Sequence, residues 1–161
     1  MATAYYTDAY NDNVMPDSNV PAGVVLSQFT TFVGVTGNHG AGDTFYMLRI
    51  PKNAVLLDVD LQFPAIGGTG TVSIGTSAGA TSVVNAASVV GAGRISLCGG
   101  FQGTTLVSSA LISTIGLGYK FTAADYFYLT FANNYLAADA VLRFAIKYYM
   151  DCGIDMAYDP G

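Results

Sequence analysis

Glutamate and tryptophan are absent from this 161-residue sequence, histidine occurs once, cysteine twice, and Lys and Arg together only six times. The missing Glu and scarce Lys remove the best surface helix formers, while Gly, Thr, Val and Tyr stay plentiful, so long exposed helices are excluded. The bases Arg49, Lys52, Arg94, Lys120, Arg143 and Lys147 are scattered singly against eleven Asp, a formal net charge of -5. Neutralising a phosphate backbone needs clustered cations, so nucleic acid is not an expected partner. An anionic membrane surface is disfavoured for the same reason. The first ten residues carry neither a basic n-region nor an apolar h-region, and no run approaches the length of a membrane span. A soluble, unprocessed chain is expected.

The chemistry-bearing residue types are equally thin. The lone imidazole, His39, lies in the loop Gly37-Asn38-His39-Gly40-Ala41-Gly42, and neither G-x-S-x-G nor H-E-x-x-H occurs. Cys98 and Cys152 are too far apart for C-x-x-C and have no second His, so a structural zinc site lacks ligands. Without a secretion signal they read as free, buried, inert thiols; a disulfide is also compatible with their positions near strand ends. The Gly-rich stretches do not contain G-x-x-x-x-G-K, so no phosphate loop is expected. Asp151, Asp155 and Asp159 recur at four-residue spacing but lack the alternate-residue ligands of a calcium loop. An acidic tail is expected, with Ile154, Met156 and Tyr158 available to a subunit contact. No catalytic residue, cofactor or metal follows from the sequence, and the chain is not expected to be an enzyme.

What is present is strand. Hydrophobic residues make up 52% and charged residues only 11%, enough apolar surface for one core and an exterior of Ser, Thr, Gly, Asn and Tyr suited to protein contact. In Ala54–Phe63, Val55, Leu57, Val59, Leu61 and Phe63 share one face and Asp58, Asp60 and Gln62 the other, the period-2 signature of a half-buried strand. Residues 69–75 repeat it with Val72 and Ile74, and residues 94–98 with Ile95 and Leu97. From residue 24, Val25, Phe29, Val33 and Val35 fall on one parity, interrupted by Ser27 and Thr31. Asp43 to Ile50 is a short apolar run closed by turn residues Pro51-Lys52-Asn53. Residues 126–132 put Phe127, Leu129 and Phe131 on one face. Residues 140–150 put Leu142, Phe144, Ile146, Tyr148 and Met150 opposite Arg143, Ala145, Lys147 and Tyr149; the two segments read as a hairpin or a cross-sheet pair. Residues 76–93 fit a loop, a weak strand or a short helix, and residues 104–115 are ambiguous. The expected fold is all-β: an antiparallel, jelly-roll-like β-sandwich over 24–150, with an extended N-terminal arm over 1–23 and a tail over 151–161.

Asp58 and Asp60 would stand about 7 Å apart on one strand face, a spacing that brings glycosidase carboxylates to mind. A solvated face, or pairing with Arg143 and Lys147 of another strand, accounts for them more simply. The arm carries Tyr5, Tyr6, Tyr10 and Met15, too many large apolar groups for a solvated linker, and needs a partner surface on this domain or a neighbour. Tyr126, Tyr128 and Tyr149 fall on outward faces. These seven residues are the protein-interface candidates, with stacking on carbohydrate as the competing use of the outward tyrosines.

The segment Gly42-Asp43-Thr44, then Leu48-Arg49-Ile50-Pro51-Lys52-Asn53-Ala54-Val55-Leu56-Leu57-Asp58-Val59 and Thr71-Val72-Ser73-Ile74-Gly75-Thr76, resembles small virion structural proteins of tailed bacteriophages. Ala124-Asp125-Tyr126-Phe127-Tyr128-Leu129-Thr130 and Val141-Leu142-Arg143-Phe144-Ala145-Ile146 are similar to their later strands, so the resemblance spans roughly residues 24 to 150. It implies a capsid decoration, or cement, protein: a β-sandwich assembled with the virion in the host cytoplasm and bound on the capsid exterior to the major capsid protein. It also implies a homo-oligomer; edge strands and an aromatic arm that neighbours would cover point the same way, with a trimer expected ahead of a dimer. The alternative is a carbohydrate- or receptor-binding module of a phage tail or surface structure.

Overall fold

The computed structural model describes residues 3–11, 24–34, 42–66, 69–98, 100–102, 114–132 and 140–151. Met15, His39, Cys152 and most of 104–115 and of the tail lie outside the described residues. In chain order the elements are β1 (Ala4–Tyr6), a helical turn α1 (Asp8–Asn11), β2 (Val25–Val33), β3 (Thr44–Ile50), β4 (Ala54–Phe63), β5 (Thr71–Thr76), β6 (Gly79–Ser88), β7 (Gly93–Ser96), β8 (Gly100–Gln102), β9 (Asp125–Ala132) and β10 (Val141–Met150). They form two five-stranded sheets. The first has the order β1-β3-β9-β5-β6, the second β2-β10-β4-β7-β8. The fold is the expected all-β sandwich, antiparallel throughout except where β1 joins β3 in parallel.

The core between the sheets takes the inward parity of each strand: Phe45, Ile74, Phe127 and Leu129 from one side, Val59, Leu61, Leu142, Phe144 and Ile146 from the other. Tyr148 is fully buried with them, and burial pushes its hydroxyl up to about 12. β9 and β10 lie in different sheets, which makes them the cross-sheet pair rather than a hairpin. The ambiguous stretch after residue 76 is β6, hairpinned to β5 through the turn Ser77-Ala78. Two register shifts break its pattern. At one of them Ala86 adopts φ 50°, and Ser73 Oγ accepts its N–H at 3.0 Å.

Two strands depart from the alternation read in the sequence. β4 carries a bulge against β10, where Lys147 pairs with Asp58 but Tyr148 pairs with Leu56. Past that step the inward parity flips, so Leu56 and Ala54 enter the core and Leu57 is left half-exposed. Val55, also buried, is bridged to Lys120 in a short antiparallel ladder in which Tyr119 O accepts Leu56 N–H at 2.9 Å and Ala54 O accepts Phe121 N–H at 2.9 Å. In β2 the core takes the even residues, chiefly Thr30 and Phe32, and the apolar odd residues face out: Val25 is 59% exposed, Phe29 80% and Val33 53%.

Residues 3–11 of segment 1–23 lie on the domain itself. β1 pairs Tyr5 with Phe45 and Tyr6 with Tyr46. Thr7 then caps α1 by accepting the N–H groups of Tyr10 and Asn11 on its carbonyl, while its own N–H donates to Tyr46 O at 3.0 Å.

Candidate functional site

The alternation of β3 and β9 sends Tyr46, Tyr126 and Tyr128 to the outer face of the first sheet, and β1 and α1 bring Tyr6 and Tyr10 beside them. Tyr6 stacks on Tyr46 with centroids 4.8 Å apart and planes at 12°. Tyr10 tilts against Tyr46 at 5.1 Å and meets Tyr126 edge-on at 6.0 Å. Tyr128, register partner of Tyr46, lies 5.7 Å from it. A bulge at Met47 sends both Met47 and Leu48 into the core and restores Arg49 to the outer face. Its guanidinium sits 4.4 Å over the Tyr10 ring, and its Nε donates to Tyr10 O at 3.1 Å. The result is a half-exposed platform of five tyrosines edged by one cation. Burial and the neighbouring phenols raise the pKa of Tyr46, and burial, Tyr126 and Asp125 raise that of Tyr128, so both stay neutral below pH 10.

The seven interface candidates therefore do not share one surface. Tyr6, Tyr10, Tyr126 and Tyr128 come together. Tyr5 points the other way, into the core, stacked on Phe45 at 5.2 Å and edge-on to Phe32 at 6.1 Å. Tyr149 lies on the outer face of the opposite sheet, beside Val25. Met15 is outside the described residues. Sequence reasoning missed Tyr46, the hub of the platform, because residues 43–50 looked like a uniform apolar run. The signal was its place one residue out of step with Phe45.

The other outer face is built from β2, β10 and β4. Arg143, Ala145 and Lys147 alternate outward on β10, and the register sets Lys147 beside Asp58 and Ala145 beside Asp60. Asp60 is ion-paired to Arg94. Asp58 is buried and accepts from Ser96 Oγ at 3.0 Å and from Cys98 N–H at 3.0 Å. Each carboxylate is thus committed to a structural partner. A groove of about 720 Å³ is lined by Gln62, Pro64, Arg94, Val141 and Arg143, at the end of β4 beyond the two carboxylates. Cys98 is a free thiol and, contrary to the buried site expected, is exposed; its Sγ donates to Leu57 O at 3.1 Å. Among the described residues no three His, Cys, Asp or Glu gather as metal ligands.

No family model and no curated protein matches the chain. Among solved structures it is similar to a chain of the cyanophage Pam1 capsid asymmetric unit, 23% identical, TM-score 0.60, over 84% of this chain and 91% of that one. It is also similar to a chain of the capsid of Ralstonia phage GP4, 18% identical, TM-score 0.66, over 92% of this chain and 99% of that one. These likenesses are of fold.

Proposed function

We propose that this chain is a structural protein of a phage virion that decorates the outside of an assembled capsid, bound as a homo-oligomer to the major capsid protein. The observation that carries the reading is the nearly end-to-end fold match to a chain of a phage capsid, over 92% of this chain and 99% of the other. The strand order supports it: β2-β10-β4-β7 facing β3-β9-β5-β6 fits the winding of a jelly roll, an architecture common in capsid proteins. So do the low surface charge and the tyrosine platform, which suit a broad protein contact. Cryo-electron microscopy of the native particle tests it, with density for this chain expected on the capsid exterior. Its location on the tail, or its absence from the virion, would overturn it.

The platform also favours a second reading, a carbohydrate- or receptor-binding module, because five half-exposed phenols offer faces on which a sugar ring can stack. A glycan array that returns a ligand, with binding lost in Tyr6→Ala, would favour that reading over decoration.

A further inference from the structure

Among the described residues, the outer edge of β2 has no strand beside it. β2 ends its sheet, runs nine residues in unbroken register with β10, and contains no charge, proline or bulge, the devices by which edge strands are blunted. Its outward side chains are exposed and apolar at both ends and the middle: Val25 59%, Phe29 80%, Val33 53%. Hollows of about 230 Å³, lined by Ser27–Phe29 with Ala9 and Leu48, and of about 390 Å³, lined by residues 31–33 with Tyr5–Asp8, lie between the inner margin of this strand and β1 and α1.

The sequence of β2 is chemically palindromic about Phe29. Val25 mirrors Val33, Ser27 mirrors Thr31, Leu26 mirrors Phe32 and Gln28 mirrors Thr30. An isologous contact demands such self-complementarity, because residue i meets j and j meets i across a two-fold axis. We propose that the occupant of this edge is β2 of a second copy, paired antiparallel with Phe29 opposite Phe29. Val25 then meets Val33 of the partner on the outer face at both ends, and Leu26 meets Phe32 on the inner face. The two sheets become one, and the exposed Phe29 rings cover each other across the axis. The absence of charge on β2 is what a strand that must meet itself requires, since any charge near the axis would face its own copy.

The proposal rests on the homo-oligomer part of the decoration reading and replaces its trimer with a dimer, because an isologous pair closes at two subunits. Light scattering on the full chain in solution should give twice the chain mass. Phe29→Lys should halve it with circular dichroism unchanged, since an exposed side chain is replaced and the core is untouched. In a Cys98→Ser, Cys152→Ser background, Phe29→Cys should oxidise to a cross-linked dimer, because directly opposed Cβ atoms stand about 4.5–5.5 Å apart. The same substitution at Leu117, also exposed, should not. A monomeric or trimeric parent, a Phe29→Lys variant that keeps the parent mass, or cross-linking no better at 29 than at 117 would each overturn it. Particle binding is scored separately: a monomeric parent that still binds heads sinks the dimer and leaves decoration intact, and a dimer that binds no virion does the reverse.

Discussion

Asp58 shows how one residue's surroundings decide between chemistry and structure. An acid-base role needs a carboxylate open to substrate, but Asp58 is buried and spends its oxygens on Ser96 Oγ and the Cys98 N–H. Those bonds fasten the end of β7 and the turn after it onto β4, and Lys147 is the register partner of Asp58 on β10. Asp58→Ala should therefore destabilise the domain by about 2 kcal/mol, the cost of stranding buried donors that had a charged acceptor. Urea denaturation followed by circular dichroism checks this. An unchanged midpoint would show that the carboxylate is dispensable to the fold. Arg94 holds the neighbouring Asp60 differently, through a fork of Nε and Nη2 donors on a part-buried carboxylate.

At the scale of elements, the sequence made strands legible wherever one face met the core and the other met water without interruption. β9 and β10 alternate as read, and their buried residues are ones the pattern names; β5 alternates through Val72 and Ile74 before Gly75 and Thr76 are buried in succession. β4 alternates only up to its bulge. Nothing in Val55-Leu56-Leu57 marks the step, because all three residues are apolar and either parity can be buried. β2 misled more deeply, since its strongest apolar parity is the exposed one and the core side is filled by Thr30 and Phe32. Parity identifies two faces and cannot say which faces a partner. β6 was unreadable because its Ala, Ser and Thr residues are small and its register shifts twice. The same hairpin contains a position where only glycine fits. A Cβ on Gly75 would lie 2.6 Å from Gly79 O and 2.7 Å from Ala80 Cα, both backbone atoms. Gly75→Ala must push β5 and β6 apart and should cost about 1–3 kcal/mol. Thermal unfolding measures it, and a melting temperature equal to the parent's would contradict the close approach.

Across the whole molecule, the apolar and aromatic surface is divided between opposite sides of the sandwich. The tyrosine platform occupies the outer face of one sheet, and the Val25, Phe29 and Val33 stripe with Tyr149 occupies the other. On the proposed decoration reading the chain would have two kinds of neighbour, its own copies and the lattice, and two separated faces would allow both to be met at once. If β2 meets β2, the platform is left for the capsid. Tyrosines at the centre of an interface contribute disproportionately, with truncation of a hot spot costing about 2 kcal/mol, or more than tenfold in affinity. Tyr6 is 47% exposed, and Tyr128 lies across β3 from it, so neither substitution opens the core. Tyr6→Ala and Tyr128→Ala should each weaken co-sedimentation with native particles by tenfold or more while leaving the solution mass unchanged. Tyr149→Ala, on the opposite sheet, should sediment like the parent. If the Tyr149 variant lost particle binding and the platform variants kept it, the lattice-facing side would be the β2–β10 face, and the division of labour between the two sheets would have to be reversed.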